Sequence, residues 1–255
     1  MKLATWNING IQKCKRQGAL LRWLREQKPD IVAIQKIKVP EDQFPTSRFE
    51  REGYFCEAHC GSNDLGVAII SRKKPRLVQK GLPGQEEFGA RLLTVDVDGL
   101  EFSSIYAPCG KKGDIGPKLK WFECLTAHFM ATRSISIQRV LCGDFNVVPD
   151  YRTGPAGLSR SSPNYQEDVR DKFKEFLDAL SLFDLYTDFR SVNWEDPFAF
   201  KGRQGCLKFS RLEYILGTQE IVDWRPKVEI DFDYAIVKNG PFHWVRAPIV
   251  TELRE

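Results

Sequence analysis

The sequence predicts a mixed α/β domain whose sheet is at least partly antiparallel, and three observations carry that prediction. Short apolar runs of strand length recur at 2–6, 30–35, 67–71, 92–97, 101–107 and 139–142. Other segments place their apolar residues at helical spacing instead. Asp98-Gly99, between two strand candidates, has the turn chemistry of a tight hairpin, which joins antiparallel neighbours.

The first strand, "LATW", runs into Asn7, Asn9 and Gly10. Leu20, Leu21, Trp23 and Leu24 then form the apolar stripe of a core-packed helix, ended by Lys28-Pro29-Asp30 ahead of the strand "IVAIQ". In "LTVDVDGLEFSSIY", Val95 and Val97 alternate with Asp96 and Asp98, so one face is buried and the other wet. In "NYQEDVRDKFKEFLDAL", Val169, Phe173, Phe176, Leu177 and Leu180 share one helical face, and Asn164 followed by Glu167 has the form of a capping box. No long linker or repeat interrupts this order, so one domain over 1–255 is expected. Residues 109–118 and 154–164 have loop composition and are long enough to act as functional arms, with solvated connectors as the default.

A chain of 255 residues with 42% hydrophobic content can bury a sizeable core. Its seven cysteines (14, 56, 60, 109, 124, 142 and 206) are odd in number and mostly sit beside strand-like apolar residues. That usage suits reduced thiols in a cytosolic compartment, not a disulfide framework. Cys56, His59 and Cys60 form a metal-like local pattern but lack a second close Cys/His pair, so no structural zinc is expected. The opening "MKLATWNING" soon turns polar, and no apolar run approaches the roughly 18 residues that span a bilayer. A soluble, cytoplasmic or otherwise intracellular protein without membrane contact is the expectation. A net charge of +4 mildly favours an anionic partner without selecting one.

The strongest local chemical signal is "RVLCGDFNVVP", an apolar strand running into Asp144 and Asn146, both on one side if the backbone stays extended. A carboxylate and an amide so placed can bind a divalent cation, or hold a water against phosphorus while the amide orients the phosphate. Turns favour the same residue types, so the pair alone is weak. Asn7 and Asn9 after the first strand, and Tyr106 in "SSIYAP", have the same character. In order, "WNINGI", "KPDIVAIQKIKV", "GVAIISRKKP", "IYAPCG", "GDFNVVP", "RLEYIL" and "WVRAPIV" span nearly the whole chain. Together they resemble the exonuclease III/AP endonuclease family, within the endonuclease/exonuclease/phosphatase superfamily.

The resemblance implies a four-layered α/β sandwich, two largely antiparallel sheets flanked by helices, with the site at one edge. It also implies a chemistry, in which bound Mg²⁺ with carboxylates, Asn, Tyr and His activates water for in-line attack on a DNA phosphodiester. Carried over by position, Asn7, Tyr106, Asp144 and Asn146 match, with Tyr106, Asp144 and Asn146 as the catalytic candidates. Four positions on which the chemistry depends depart: Lys36, Glu213, Val245 and Arg246. Lys36 stands where the family has its metal-binding Glu, Glu213 where it has Asp beside a retained Arg211, and Trp244, Val245 and Arg246 where it has Ser-Asp-His. His243 is a bystander, so Arg246 is the residue at the functional position of the closing strand "GPFHWVRAPIVTEL".

The exchange at Lys36 has a large electrostatic consequence. A unit positive charge about 4 Å from a divalent ion, at an effective dielectric of about 20, costs on the order of 8 kcal/mol before solvent relaxation. Lys36 and Arg246, with Asn7 and Arg211, are instead suited to bind nucleic-acid phosphate without a metal. Basic loops at 111–114, 201–208 and 153–162, and Trp194, Phe198 and Phe200 near an aromatic-lined sugar pocket, fit the same partner. The leading expectation is therefore a monomeric nucleic-acid-binding pseudonuclease that needs no cofactor, with DNA as partner and RNA as a second candidate. The alternatives are a divergent Mg²⁺ or Mn²⁺ DNA repair nuclease, with Asp144 and Glu213 as metal ligands, and a protein-interaction module on the nuclease fold.

Overall fold

The computed structural model describes residues 1–12, 14–61, 65–132, 138–148, 162–189, 199–202, 205–208, 212–238 and 244–254. The strands are β1 (Lys2–Asn7), β2 (Ile31–Gln35), β3 (Phe55–His59), β4 (Val67–Ser71), β5 (Arg76–Lys80), β6 (Leu92–Val97), β7 (Leu100–Tyr106) and β8 (Gln138–Asp144), followed by β9 (Phe183–Asp184), β10 (Ala199–Gly202), β11 (Gly205–Lys208), β12 (Glu213–Gly217), β13 (Lys227–Ile230), β14 (Ile236–Lys238), β15 (Trp244–Arg246) and β16 (Ile249–Glu252). One six-stranded sheet has the order β13-β16-β1-β2-β4-β3 and the other β5-β6-β7-β8-β12-β9. Both are mixed and mostly antiparallel, with one parallel pair each, β1–β2 and β7–β8. The expected hairpin joins β6 to β7, and Asp98 and Gly99 both adopt positive φ, as the mirror-image turn requires.

Period-two alternation explains the layering. Leu3, Ile31, Ala33, Val67 and Ile69 from the first sheet pack on Val95, Phe102, Val140, Cys142 and Ile215 from the second. The opposite face of the first sheet, with Ala4, Trp6, Val32 and Ile34, is covered by Leu20, Trp23 and Leu24 of α1 (Cys14–Gln27). A short α2 (Thr46–Glu50) adds Phe49 to that core. On the outer face of the second sheet, α3 (Gly116–Ala131) and α4 (Glu167–Leu180) bring Trp121, Phe122, Phe173 and Phe176 onto Leu141, Phe145 and Tyr214. The result is the expected helix–sheet–sheet–helix sandwich. Among the described residues no helix is long and apolar enough to cross a membrane.

Two local expectations change. The helix over 167–180 forms, but its N-cap is Gln166 and no side chain caps it. Asn164 lies instead in a 3₁₀ turn, Pro163–Tyr165, and is buried against α3; a tertiary partner overrides the local capping pattern. The closing stretch is two strands, because Ala247-Pro248 breaks it and proline supplies no ladder donor. β15 pairs with β14, while β16 sits between β13 and β1. Alternation also sends His59 to the face of β3 opposite Cys56, and its Nδ1 meets the Leu92 carbonyl at 3.2 Å. The described cysteines 56, 60, 109, 124 and 142 are free thiols.

Candidate functional site

Between the sheets the inward-facing positions turn from apolar to polar along the strands. In β1 the sequence is Leu3, Thr5, Asn7; in β7 it is Phe102, Ser104, Tyr106; in β8 it is Val140, Cys142, Asp144. Halfway up, Gln35 Nε2 donates to Thr5 Oγ1 at 2.9 Å and to Ser104 Oγ at 3.1 Å, bridging the sheets. At the top, register aligns Tyr106 with Asp144 and Asp144 with Glu213, so three adjacent strands deliver their side chains in one row. Asn7 completes it from the other sheet, its Nδ2 donating to Asp144 Oδ2 at 2.6 Å.

Gly143 permits this row. Its φ is +139°, and a Cβ there would stand 1.9 Å from the Ile105 carbonyl oxygen. Immediately beyond Asp144 the backbone is not extended: Asn146 has φ +53°, its amide N–H donates to Asp144 Oδ1 at 3.0 Å and its Nδ2 to the Ala107 carbonyl at 2.8 Å. Asp144 and Asn146 do meet at one site, but through a turn, not through strand alternation.

The row opens into a cavity of about 420 Å³ that Tyr106, Asp144 and Asn146 share with Lys36, Lys38 and Arg246. Asn9, Cys109, Asn164 and Leu212 also border it. Asn9, Lys36, Lys38 and Asn146 all have positive φ, a conformation uncommon for residues with a Cβ and concentrated at functional sites. Between the two lysines Ile37 is fully buried, and the Gly10 and Ile11 amides bond the Lys36 and Ile37 carbonyls. Tyr106 lies between cations: Lys36 Nζ is 5.9 Å from the ring centroid and Arg91 Cζ is 5.0 Å from it. Arg91 is fixed by donating to the Tyr106 and Phe88 carbonyls.

Burial pushes the Asp144 carboxyl above the usual range, and the Arg246 charge is the largest influence drawing it back, followed by the bonds from Asn146 and Asn7. Glu213 is pushed up to about 8, first by burial and second by the Asp144 charge, again opposed chiefly by Arg246. One guanidinium thus compensates both carboxylates. Burial and Asp144 also push the Tyr106 phenol up to about 12. At neutral pH Tyr106 keeps its proton, and among the described residues Lys36, Lys38 and Arg246 border the cavity beside Asp144.

A profile for the endonuclease/exonuclease/phosphatase family matches residues 4–245. The chain belongs to the exonuclease III/AP endonuclease branch of that superfamily. Within the family it is 27% identical over 186 residues to an exodeoxyribonuclease of Bacillus subtilis, covering 70% of this chain and 72% of the relative. It is 23% identical to exodeoxyribonuclease III of Haemophilus influenzae over the full length of both. Its fold is similar to an AP endonuclease of Archaeoglobus fulgidus, with TM-score 0.81, 28% identity and 99% of each chain covered. A family structure of the 3′ phosphatase NExo from Neisseria, bound to product DNA hairpin, superposes with TM-score 0.84 and 25% identity over all of both chains.

Asn7, Tyr106, Asp144, Asn146, Glu213, Lys36 and Arg246 come together here, whereas Arg211 lies outside the described residues. So do His243, Trp194, Phe198 and most of loop 154–164; the backbone of Trp244 and Val245 is described in β15. Sequence reasoning missed Lys38, Cys109, Arg91 and Asn164 as neighbours of the site. It also missed Lys118, which lies beneath the cavity and donates to the Asn146 carbonyl and Asn164 Oδ1. A signal for Lys118 was present, since it falls in helical phase with Trp121, Phe122 and Leu125 on the buried face of α3.

The oxygen donors that could face a divalent metal include Asp144, Glu213, Asn7 Oδ1 and Asn9 Oδ1, the last two buried without a hydrogen-bond partner among the described residues. Those orphan oxygens fit a cation. The cations of the site oppose it: Arg246 already supplies counter-charge to Asp144 and Glu213, and Lys36 adds a second cation to the lining. Among the described residues, no three His, Cys, Asp or Glu side chains converge as a metal group.

Proposed function

We propose that this chain binds DNA phosphate in the Asp144 cavity without a catalytic divalent metal, and that it has little or no phosphodiesterase activity. The observation that carries the reading is Arg246, whose guanidinium answers both Asp144 and Glu213 from within the cavity. With Lys36 and Lys38 also bordering it, the cavity gathers three basic side chains beside Asp144. Arg and Lys bind phosphate well in a static sense, whereas hydrolysis also requires an activated water and a stabilised leaving group. Tyr106, raised to about 12 by burial and Asp144, keeps its proton at neutral pH and can donate to a phosphate oxygen. DNA as the phosphate source is supported by the relatives' names and by the family structure that contains DNA. Abasic DNA is the first substrate to try, given the AP endonuclease likeness.

The second reading is a divergent Mg²⁺ or Mn²⁺ nuclease using Asp144, Glu213, Asn146 and Tyr106, and the exodeoxyribonuclease relatives favour it. One experiment separates the two. Wild type and a Lys36→Glu, Val245→Asp, Arg246→His variant are assayed for cleavage of abasic and 3′-recessed duplexes across Mg²⁺ and Mn²⁺, beside binding in EDTA. The binding reading expects wild type to bind in EDTA and not cut, with cutting in the variant. Metal-dependent cutting by wild type that falls in Asp144→Ala overturns it in favour of the nuclease. Absence of salt-dependent binding removes nucleic acid from the account and leaves a protein-interaction role on this fold.

A further inference from the structure

Lys118 sits in the first turn of α3 and is fully buried. Both facts oppose a lysine: the helix N-terminus disfavours a cation, and burial strips its hydration. Burial pushes its pKa down to about 8, against the pull of Cys109 and Asp144. A group held against two such penalties needs compensating bonds, and its partners lie on two different chain segments. Lys118 Nζ donates to the Asn146 carbonyl, just past β8, and to Asn164 Oδ1 at 3.1 Å, just before α4. The same two segments are tied by the Val148 amide, which donates to the Asn164 carbonyl at 3.0 Å. Val148 and Tyr165 also pack together with Leu212. Asn146, Asn164 and Leu212 all border the cavity.

We propose that Lys118 is a positioning residue for the cavity, its buried ammonium clamping the Asn146 and Asn164 segments into one wall against which the phosphate is held. The clamp also fixes the positive φ of Asn146, the residue that orients Asp144 through its amide. Lys118 itself does not border the cavity, so it acts through Asn146 and Asn164 and not by touching the ligand. The consequence for affinity rests on the phosphate-binding reading above; the clamp itself does not.

The test uses Lys118→Met, Asn164→Ala, which removes the acceptor but keeps the ammonium, and the double variant in the full chain. Amide hydrogen exchange is read at Val148 in the wall and Leu141 in the sheet, and binding of a fluorescein-labelled abasic duplex in EDTA is read against salt. The expected result is roughly tenfold faster exchange at Val148 with Leu141 unchanged in both single variants. Affinity falls about tenfold with an unaltered salt slope, since no phosphate contact is lost. The double variant is no worse than the worse single, as expected of two halves of one clamp. Unchanged Val148 exchange, equal acceleration at Leu141 in both single variants, additive losses, or a salt slope lowered by about one each overturns the proposal. If wild type does not bind DNA while exchange behaves as expected, the clamp stands and the phosphate reading fails.

Discussion

The two sides of the cavity are built differently. On one side Asn7, Asp144 and Asn146 are buried, joined to each other and to the Ala107 carbonyl by hydrogen bonds, and underlain by Gly143 and Lys118. On the other, Lys36, Lys38 and Arg246 bring charge and border the opening. A wall knit into strand ends and backbone carbonyls resists change, because each member is an obligatory partner of another. A rim that meets the ligand through long charged side chains can reverse its sign with little cost to the fold.

That contrast can be broken at the knit wall first. Gly143→Ala pushes a methyl into the Ile105 carbonyl and is expected to destabilise the protein by at least about 4 kcal/mol, read by urea unfolding. Arg246→Ala removes the counter-charge of two buried carboxylates, so it lowers stability as well as taking a cation from the cavity. Affinity for DNA phosphate in EDTA is expected to fall more than tenfold, with the salt slope reduced by about one. A retained slope would place Arg246 outside the phosphate contact.

A third test uses pH. Glu213 is raised from 4.5 to about 8 by burial and by Asp144, so within that window the folded protein holds a proton that the unfolded chain has released. The stability this confers is full below pH 4.5 and is lost as pH rises through about 8. Glu213→Gln is expected to flatten that decline, measured as the urea midpoint from pH 5 to 8. The smallest expected effect lies at the far end of the sandwich. Lys73→Ala breaks an exposed ion pair to Asp98 and is expected to leave both melting and DNA binding unchanged.

The layers were legible because burial imposes period two on strands and a one-sided stripe on helices. Val95 and Val97, or Val169, Phe173 and Phe176, announce their faces without any tertiary knowledge. The strand-end residues Asn7, Tyr106 and Asp144 were legible through motif order, not through composition. Asn164 was misread for a physical reason: an Asn three residues before a Glu satisfies the local rule for a cap, and only the packed α3 reveals that Lys118 is its partner. Register across β7, β8 and β12, which makes a row of Tyr106, Asp144 and Glu213, is a property of three distant segments. No window of sequence contains it. Nor could the extended-strand argument foresee that Asn146 reaches the site through a positive φ.

The four residues with positive φ around the cavity carry a consequence for how such a site changes over time. Asn9, Lys36, Lys38 and Asn146 have a backbone shape held in part by main-chain hydrogen bonds, such as those linking Gly10 to Lys36 and Lys38 to Leu65. Side chains hung on that mould are interchangeable in a way the mould is not. An exchange of charge at position 36 leaves in place the bend that presents it, whereas a change in the bend displaces every side chain hung on it.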